Sequence, residues 1–212
     1  MRPTTFTLLA GVALLSAACG SIDRSRDLNN PKVPAVTLAQ QVCSNCHGVD
    51  GNAVSPNFPN LAAQSEAYVV AQLGSFKSHG RHDPAGYEYM WGLSRSLSED
   101  QIKGLAAYYA AQTAQRQPPE GDPGRVAAGR ALFTQGAADR NIPACAGCHG
   151  ESGQGLAAFP RLAGQHADYV GKQLRVFQRT DERPEGSIMK TVAHALTYQD
   201  IEDVAAFVQT LP

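Results

Sequence analysis

One five-residue pattern constrains this chain of 212 residues more than any other, and it occurs twice. Cys43-Ser44-Asn45-Cys46-His47 is the first copy and Cys145-Ala146-Gly147-Cys148-His149 the second. Two cysteines three apart with histidine directly after them form the attachment signal for a c-type haem. The thiols are spaced to form thioethers to one porphyrin, and the neighbouring imidazole is then carried beneath the iron as its proximal ligand. A bare C-x-x-C also suits a redox dithiol or half of a zinc site. A pair of zinc knuckles would need a tetrahedral ligand set within each copy, and neither half offers a further cysteine after its motif.

What surrounds the motifs is repeated too. Each is followed by Gly, a glycine-rich loop and an aromatic–proline turn, Phe58-Pro59-Asn60-Leu61 and Phe159-Pro160-Arg161-Leu162. Helix-like segments follow over 65–77 and 165–178, with Tyr68, Leu73 and Phe76 matching Tyr169, Leu174 and Phe177. A polar loop leads to Met90 or Met189, and Leu97 or Leu196 stands seven residues later. Ser98 with Gln101 and Thr197 with Asp200 read as capping boxes opening a closing helix in each half. Ile102, Leu105, Ala106 and Tyr109 form one apolar stripe, and Ile201, Val204, Ala205 and Val208 the other. Proline and glycine mark a linker between the halves. The expected fold is therefore all-α, with a first domain over 35–112, a linker over 113–122 and a second domain over 123–212. The halves differ before the motif. The second has an amphipathic helix at Val126–Phe133 and an extra stretch from Thr134 to Ala144, whereas the first has only Val36 to Val42. Its first helix is expected to be shorter, or to begin directly at the motif.

An electron-transfer haem needs a sixth ligand. Apart from the initiator, the methionines are Met90 and Met189, 43 and 40 residues after His47 and His149. A neutral, soft thioether stabilises ferrous iron and raises the potential. His79 and His82 compete with Met90 for the first iron, but they read as solvent-facing loop residues, and all four of His79, His82, His166 and His194 are expected to be non-ligands. A backbone carbonyl near Pro59 or Pro160 is expected to accept the second ring proton of the proximal histidine. Asn60, Arg161, Tyr68 and Tyr169 are candidate partners of the ligands or of the propionates. Trp91 is placed either against the porphyrin or between the domains.

Charged residues make up 17% of the chain, with a formal net charge of -1 and no Lys/Arg runs, which excludes nucleic acid as a partner. Residues 1–18 read as a secretory signal: Arg2, then an apolar stretch ending in Ser16-Ala17-Ala18. Cys19 then resembles the lipidated cysteine of a bacterial lipoprotein, with residues 19–34 as a tether. Ordinary cleavage after Ala18 is the alternative. Both readings place the chain in the periplasm, soluble or held to a membrane by a lipid.

Taken together, the motifs, the Phe-Pro-x-Leu turns, the Gln-Leu-x-x-Phe segments, Met90, Met189 and the closing helices resemble the two-domain, two-haem class I cytochromes c of bacteria. The resemblance covers about residues 35–212. It implies two covalent haems, attached at Cys43, Cys46, Cys145 and Cys148. It implies His47 and Met90 on one iron and His149 and Met189 on the other, with the haem edges approaching across a pseudo-twofold axis. It also implies single-electron transfer between respiratory partners, toward a terminal oxidase or reductase, rather than catalysis. The rival readings are the cytochrome subunit of a periplasmic dehydrogenase complex and a dihaem enzyme, a peroxidase or a thiosulfate-oxidising protein. Partners are then donor and acceptor redox proteins, with a second copy in a dimer left open.

Overall fold

The computed structural model describes residues 25–84, 86–116, 118, 122–179 and 181–212. Cys19 and the signal-like segment lie outside them. The described residues form helices and connecting loops, with two isolated antiparallel bridges, Ala137–Ile142 and Leu156–Phe159. Each half packs its own apolar cluster.

The closing helices carry both clusters. α5 spans Glu99–Ala110 and α10 spans Tyr198–Thr210. Both open with a complete capping box. Ser98 Oγ accepts from Gln101 N at 3.2 Å, and Gln101 Oε1 accepts from Ser98 N at 3.0 Å. Thr197 Oγ1 accepts from Asp200 N at 3.1 Å, and Asp200 Oδ2 accepts from Thr197 N at 2.7 Å. These bonds satisfy amide groups that a helix start leaves unpaired. Ile102, Leu105, Ala106 and Tyr109 are buried on α5, and Ile201, Val204, Ala205 and Val208 on α10.

The helices leading to the motifs differ. In the second half, α6 (Pro123–Gln135) is capped by Asp122, with Pro123 in its first turn. It crosses α10 so closely that a Cβ on Gly129 would lie 2.0 Å from the Asp203 carbonyl oxygen. Phe133 meets Phe207 beside this crossing, with ring centroids 5.5 Å apart. Gly136, with φ 70°, then turns the chain away, and a short 3-10 turn, Ala138–Arg140, leads toward α7, Ala146–His149. In the first half α1, Ala35–Leu38, continues through a π turn, Ala39–Cys43, straight into α2, Ser44–His47. This is the short lead-in expected from the sequence. The crossing glycine has changed sides: here Gly104 of α5 faces Ala35, with 2.6 Å between the Ala35 methyl and a notional Gly104 Cβ.

Part of the segment read as a tether is packed. Val33 is buried, Leu28 touches the first cluster, and Gln101 Nε2 donates to the Asn30 and Val33 carbonyls at 3.0 Å each.

The remaining helices are α3 (Glu66–Lys77), α4 (Trp91–Ser94), α8 (Ala167–Arg179) and α9 (Ser187–His194). The methionines expected after a polar loop lie on helical elements. Met90 ends a π turn, Gly86–Met90, and Met189 lies on α9.

Candidate haem sites

Each motif is shaped by the loop after it. Leu61 and Ala62 donate to the Gly51 carbonyl at 2.7 and 3.0 Å, and Leu162 and Ala163 to the Gly153 carbonyl at 2.8 and 2.9 Å. The loops are further tied to the closing helices: Ala63 N donates to the Tyr109 carbonyl at 2.9 Å and Gly164 N to the Val208 carbonyl at 3.0 Å. This folding brings the two proline carbonyls over the two histidines. His47 Nδ1–H donates to the Pro59 carbonyl and His149 Nδ1–H to the Pro160 carbonyl, each at 2.9 Å. Those carbonyls fix the tautomer, leaving Nε2 of each ring as the free donor atom. Phe58 and Phe159 stand edge-on to the rings, at 6.2 and 6.1 Å between centroids. Burial holds both imidazoles below the usual histidine range, against the smaller opposite pull of the proline carbonyls, so both stay neutral and able to ligate.

A single cavity of about 820 Å³ is bordered by both motifs. Cys43, Cys46, His47 and Met90 lie on its wall in the first half, and Cys145, Cys148, His149 and Met189 in the second. All eight residues singled out in the sequence are thus brought to one continuous, largely apolar space. Such a donor set, two thiols with a neutral imidazole and a thioether in each half, fits a covalently bound haem. It does not fit zinc. Among the described residues no group of three or more His, Cys, Asp or Glu side chains converges on one point, so neither motif assembles a tetrahedral ligand set.

The other histidines stand elsewhere. His82 and His194 are exposed. His79 packs edge-on against Trp91 at 4.3 Å, so Trp91 has a partner on the surface of the first half. His166 Nε2 donates to the Ala53 carbonyl at 2.9 Å and fastens one half to the other.

The junction between the halves is reciprocal. Gln64 accepts from Arg161 N at 2.7 Å and donates to the Arg161 carbonyl at 3.1 Å. Its counterpart Gln165 accepts from Asn60 N at 2.8 Å and donates to the Asn60 carbonyl at 3.0 Å. Residue i meets j while j's counterpart meets i's, which is the signature of a twofold relation. Arg161 therefore serves the junction through its backbone, and Asn60 through its backbone and through Nδ2, which donates to the Gly164 carbonyl at 2.8 Å.

A second reciprocal layer is made of arginines, which sequence reasoning passed over as loop residues. Arg81 donates to Gln72 of its own half at 2.6 Å and to Gln173 of the other at 3.2 Å. Arg183 donates to Gln173 at 2.6 Å and to Gln72 at 2.9 Å. Each guanidinium also lies 4.6 Å from a phenylalanine ring, Phe76 or Phe177. Asp83, wholly buried, takes two bonds from Arg81 at 2.5 and 3.1 Å. Burial works against the Asp83 charge, but the Arg81 hydrogen bonds and the nearby guanidinium charges win and hold its carboxyl below the ordinary range. Glu185, more exposed, takes one bond from Arg183 at 2.9 Å. The readable signal was Arg-x-Asp at 81–83 and Arg-x-Glu at 183–185, in matching places after Phe76 and Phe177. These arginines, with Tyr68 and Tyr169, border the cavity where it passes from one half to the other.

The family model described as Cytochrome c matches this chain twice, over residues 34–111 and 126–212. Cytochrome c4 of Pseudomonas aeruginosa is 41% identical over 174 residues, covering 80% of this chain and 84% of its own. A thiosulfate dehydrogenase electron acceptor of Stutzerimonas stutzeri is 34% identical over 208 residues, covering 94% of this chain and 92% of its own. The crystal structure of reduced cytochrome c4 from Pseudomonas stutzeri aligns with a TM-score of 0.74 and 36% identity, covering 86% of this chain and 99% of that one. The chain belongs to the cytochrome c family, as a two-domain, two-haem class I member of the cytochrome c4 kind.

Proposed function

We propose that the first haem is attached at Cys43 and Cys46 and ligated by His47 and Met90, and the second attached at Cys145 and Cys148 and ligated by His149 and Met189. On this assignment the domains are 35–112 and 123–212, joined by 113–122. The bound irons supply a reversible ferric–ferrous couple. The chain supplies the rest. Pro59 and Pro160 orient the imidazoles, the methionines complete the ligand sets, and the apolar wall keeps water from the metal. The protein is an electron carrier, not an enzyme. The observation that carries the reading is the matched pair of donor sets on one cavity that crosses the domain junction. An electron can enter at one site and leave from the other without a substrate touching either.

The partners are redox proteins. We assign delivery to a terminal oxidase or reductase. A dehydrogenase as donor is favoured by the relative that is itself a thiosulfate dehydrogenase electron acceptor. A periplasmic location suits the cytochrome c4 relatives, and a lipid on Cys19 would hold the protein at a membrane. Cys19→Ser should then move it from the membrane to the soluble fraction.

The ligands are tested in the holoprotein. Met90→Ala and Met189→Ala should each convert one haem, and only that one, from six-coordinate to cyanide-binding, and lower its potential. Resting-state spectra unchanged by both substitutions would overturn the assignment.

A further inference from the structure

The two domains present different side chains to the cavity at one matched position. Tyr109 and Val208 occupy equivalent places on α5 and α10, as the paired bonds from Ala63 N and Gly164 N to their carbonyls establish. Both border the cavity. Val208 brings no polar atom. Tyr109 brings a hydroxyl that is buried and has no hydrogen-bond partner of adequate geometry, with the residue as a whole only 2% exposed.

A buried hydroxyl left without a partner is destabilising. The ring is not free to turn it toward water. Its Cδ1 lies 2.9 Å from where a Gly51 Cβ would stand, so the ring occupies space that only glycine leaves open. On another side Tyr108 packs edge-on at 5.2 Å, itself held by a bond from its own hydroxyl to the Val49 carbonyl at 2.7 Å. The neighbouring group with chemistry is Cys43. Cys43 packs against the apolar cluster that holds Tyr109, and both residues border the cavity.

We infer that Tyr109 sets the potential of the first haem, its hydroxyl donating at the Cys43 thioether edge and favouring reduction of that haem over the second. This rests on the attachment of the first haem at Cys43. A thioether sulfur is a weak acceptor, but it needs no displacement of another partner here. The sign follows from charge. A reduced haem carries one more electron than an oxidised one. A hydroxyl proton aimed at its edge in a water-poor pocket stabilises the reduced form. Hydrogen bonding around the centre and its burial are recognised controls on such potentials. Val208 offers the second haem no such donor.

Tyr109→Phe keeps the ring and its packing and removes only the hydroxyl. The test is a potentiometric titration of the holoprotein in which the two haems are resolved by their haem-methyl proton resonances. In half-reduced protein, the share of electrons on the first haem relative to the second should fall about tenfold, which for a one-electron couple is about 59 mV. The second potential and both six-coordinate spectra should stay as they are. A first-haem potential unmoved by Tyr109→Phe, or equal movement of both haems, would overturn the inference. The ligand assignment fails separately: Met90→Ala must perturb the same set of resonances that Tyr109→Phe moves. If it perturbs the other set, the haem assignment is wrong whatever Tyr109 does.

Discussion

The two domains hold their histidines in the same way and reach them by different routes. In the second, α6 crosses α10, a glycine turn redirects the chain, and a bridged loop delivers Cys145. In the first, α1 runs through a π turn into the motif without a loop. Met90 ends a second π turn while Met189 rides on a regular helix. Yet the Nδ1 to proline carbonyl distance is 2.9 Å in both. The orientation of the imidazole is thus set by the loop after the motif and its ties to the closing helix. The helix before the motif is free to vary, because it contributes packing rather than ligand geometry. The same division holds at the junction. The glutamine layer is reciprocal, whereas the carboxylates behind the arginines are not: Asp83 is 0% exposed and Glu185 has 26% of its side chain open to water.

That last difference yields the largest expected effect. Arg81→Met leaves a fully buried carboxylate without its bidentate partner, which typically costs about 3–5 kcal/mol. Arg183→Met leaves a carboxylate that water can solvate, at a cost of about 1 kcal/mol. Urea unfolding of the holoprotein should show that order. Asp83→Asn in the Arg81→Met background should restore most of the loss, because the uncompensated charge is then gone. Equal losses for the two arginines would erase the asymmetry.

Most of this architecture was legible in the sequence because it is written in local signals. The motifs, the capping boxes at Ser98 and Thr197 and the apolar stripes each act within a few residues, so spacing alone exposes them. The short lead-in to Cys43 was legible for the same reason. Arg81 and Arg183 were not, since a charged residue in a polar loop looks solvated until the other domain is laid against it. Nor was the role of Gln64 and Gln165, whose bonds span about a hundred residues of chain. The place of Trp91 was not legible either: next to Met90 it could face the porphyrin or the domain junction, and the ring contact it makes is with His79. The hydroxyl of Tyr109 was hidden inside an apolar stripe that its ring satisfies.

The helix crossings give a smaller effect. A Cβ on Gly129 meets a backbone carbonyl at 2.0 Å, and backbone in the middle of α10 cannot step aside. Gly129→Ala should therefore force α6 and α10 apart and cost about 1–3 kcal/mol. Gly104→Ala meets a side-chain methyl rather than backbone, that of Ala35, at the first residue of the helical run, where a small shift is cheaper. There the gain of about 1 kcal/mol from alanine in a helix interior offsets the crowding. Thermal unfolding should separate the two variants clearly. If Gly104→Ala is as costly as Gly129→Ala, then the short α1 is held as rigidly as α6.

The smallest effect concerns the closing helices. Both capping boxes use the third helical residue, but it is Gln101 in the first domain and Asp200 in the second. Only the second can titrate. Its carboxyl is held down to about 2, chiefly by the hydrogen bond from Arg140, and then by Thr197 against a modest opposing effect of burial. Arg140 reaches it with two bonds, at 2.5 and 3.0 Å, and so ties the loop before Cys145 to the start of α10. A depressed folded-state value stabilises the protein above the unfolded value of about 4 and ceases to do so as pH falls toward 2. Because Arg140 is open to water, the contribution of the pair is small. Asp200→Asn keeps an acceptor for Thr197 N, as Gln101 does for Ser98 N, and removes the charge. The stability difference between wild type and Asp200→Asn should be full at pH 6, shrink between about pH 4 and pH 2, and vanish at the acid end. Gln101→Asn in the first domain, which changes no charge, should give a difference that does not vary with pH. A pH-independent difference at Asp200 as well would mean that the two caps work alike, and that Arg140 holds its loop by shape rather than by charge.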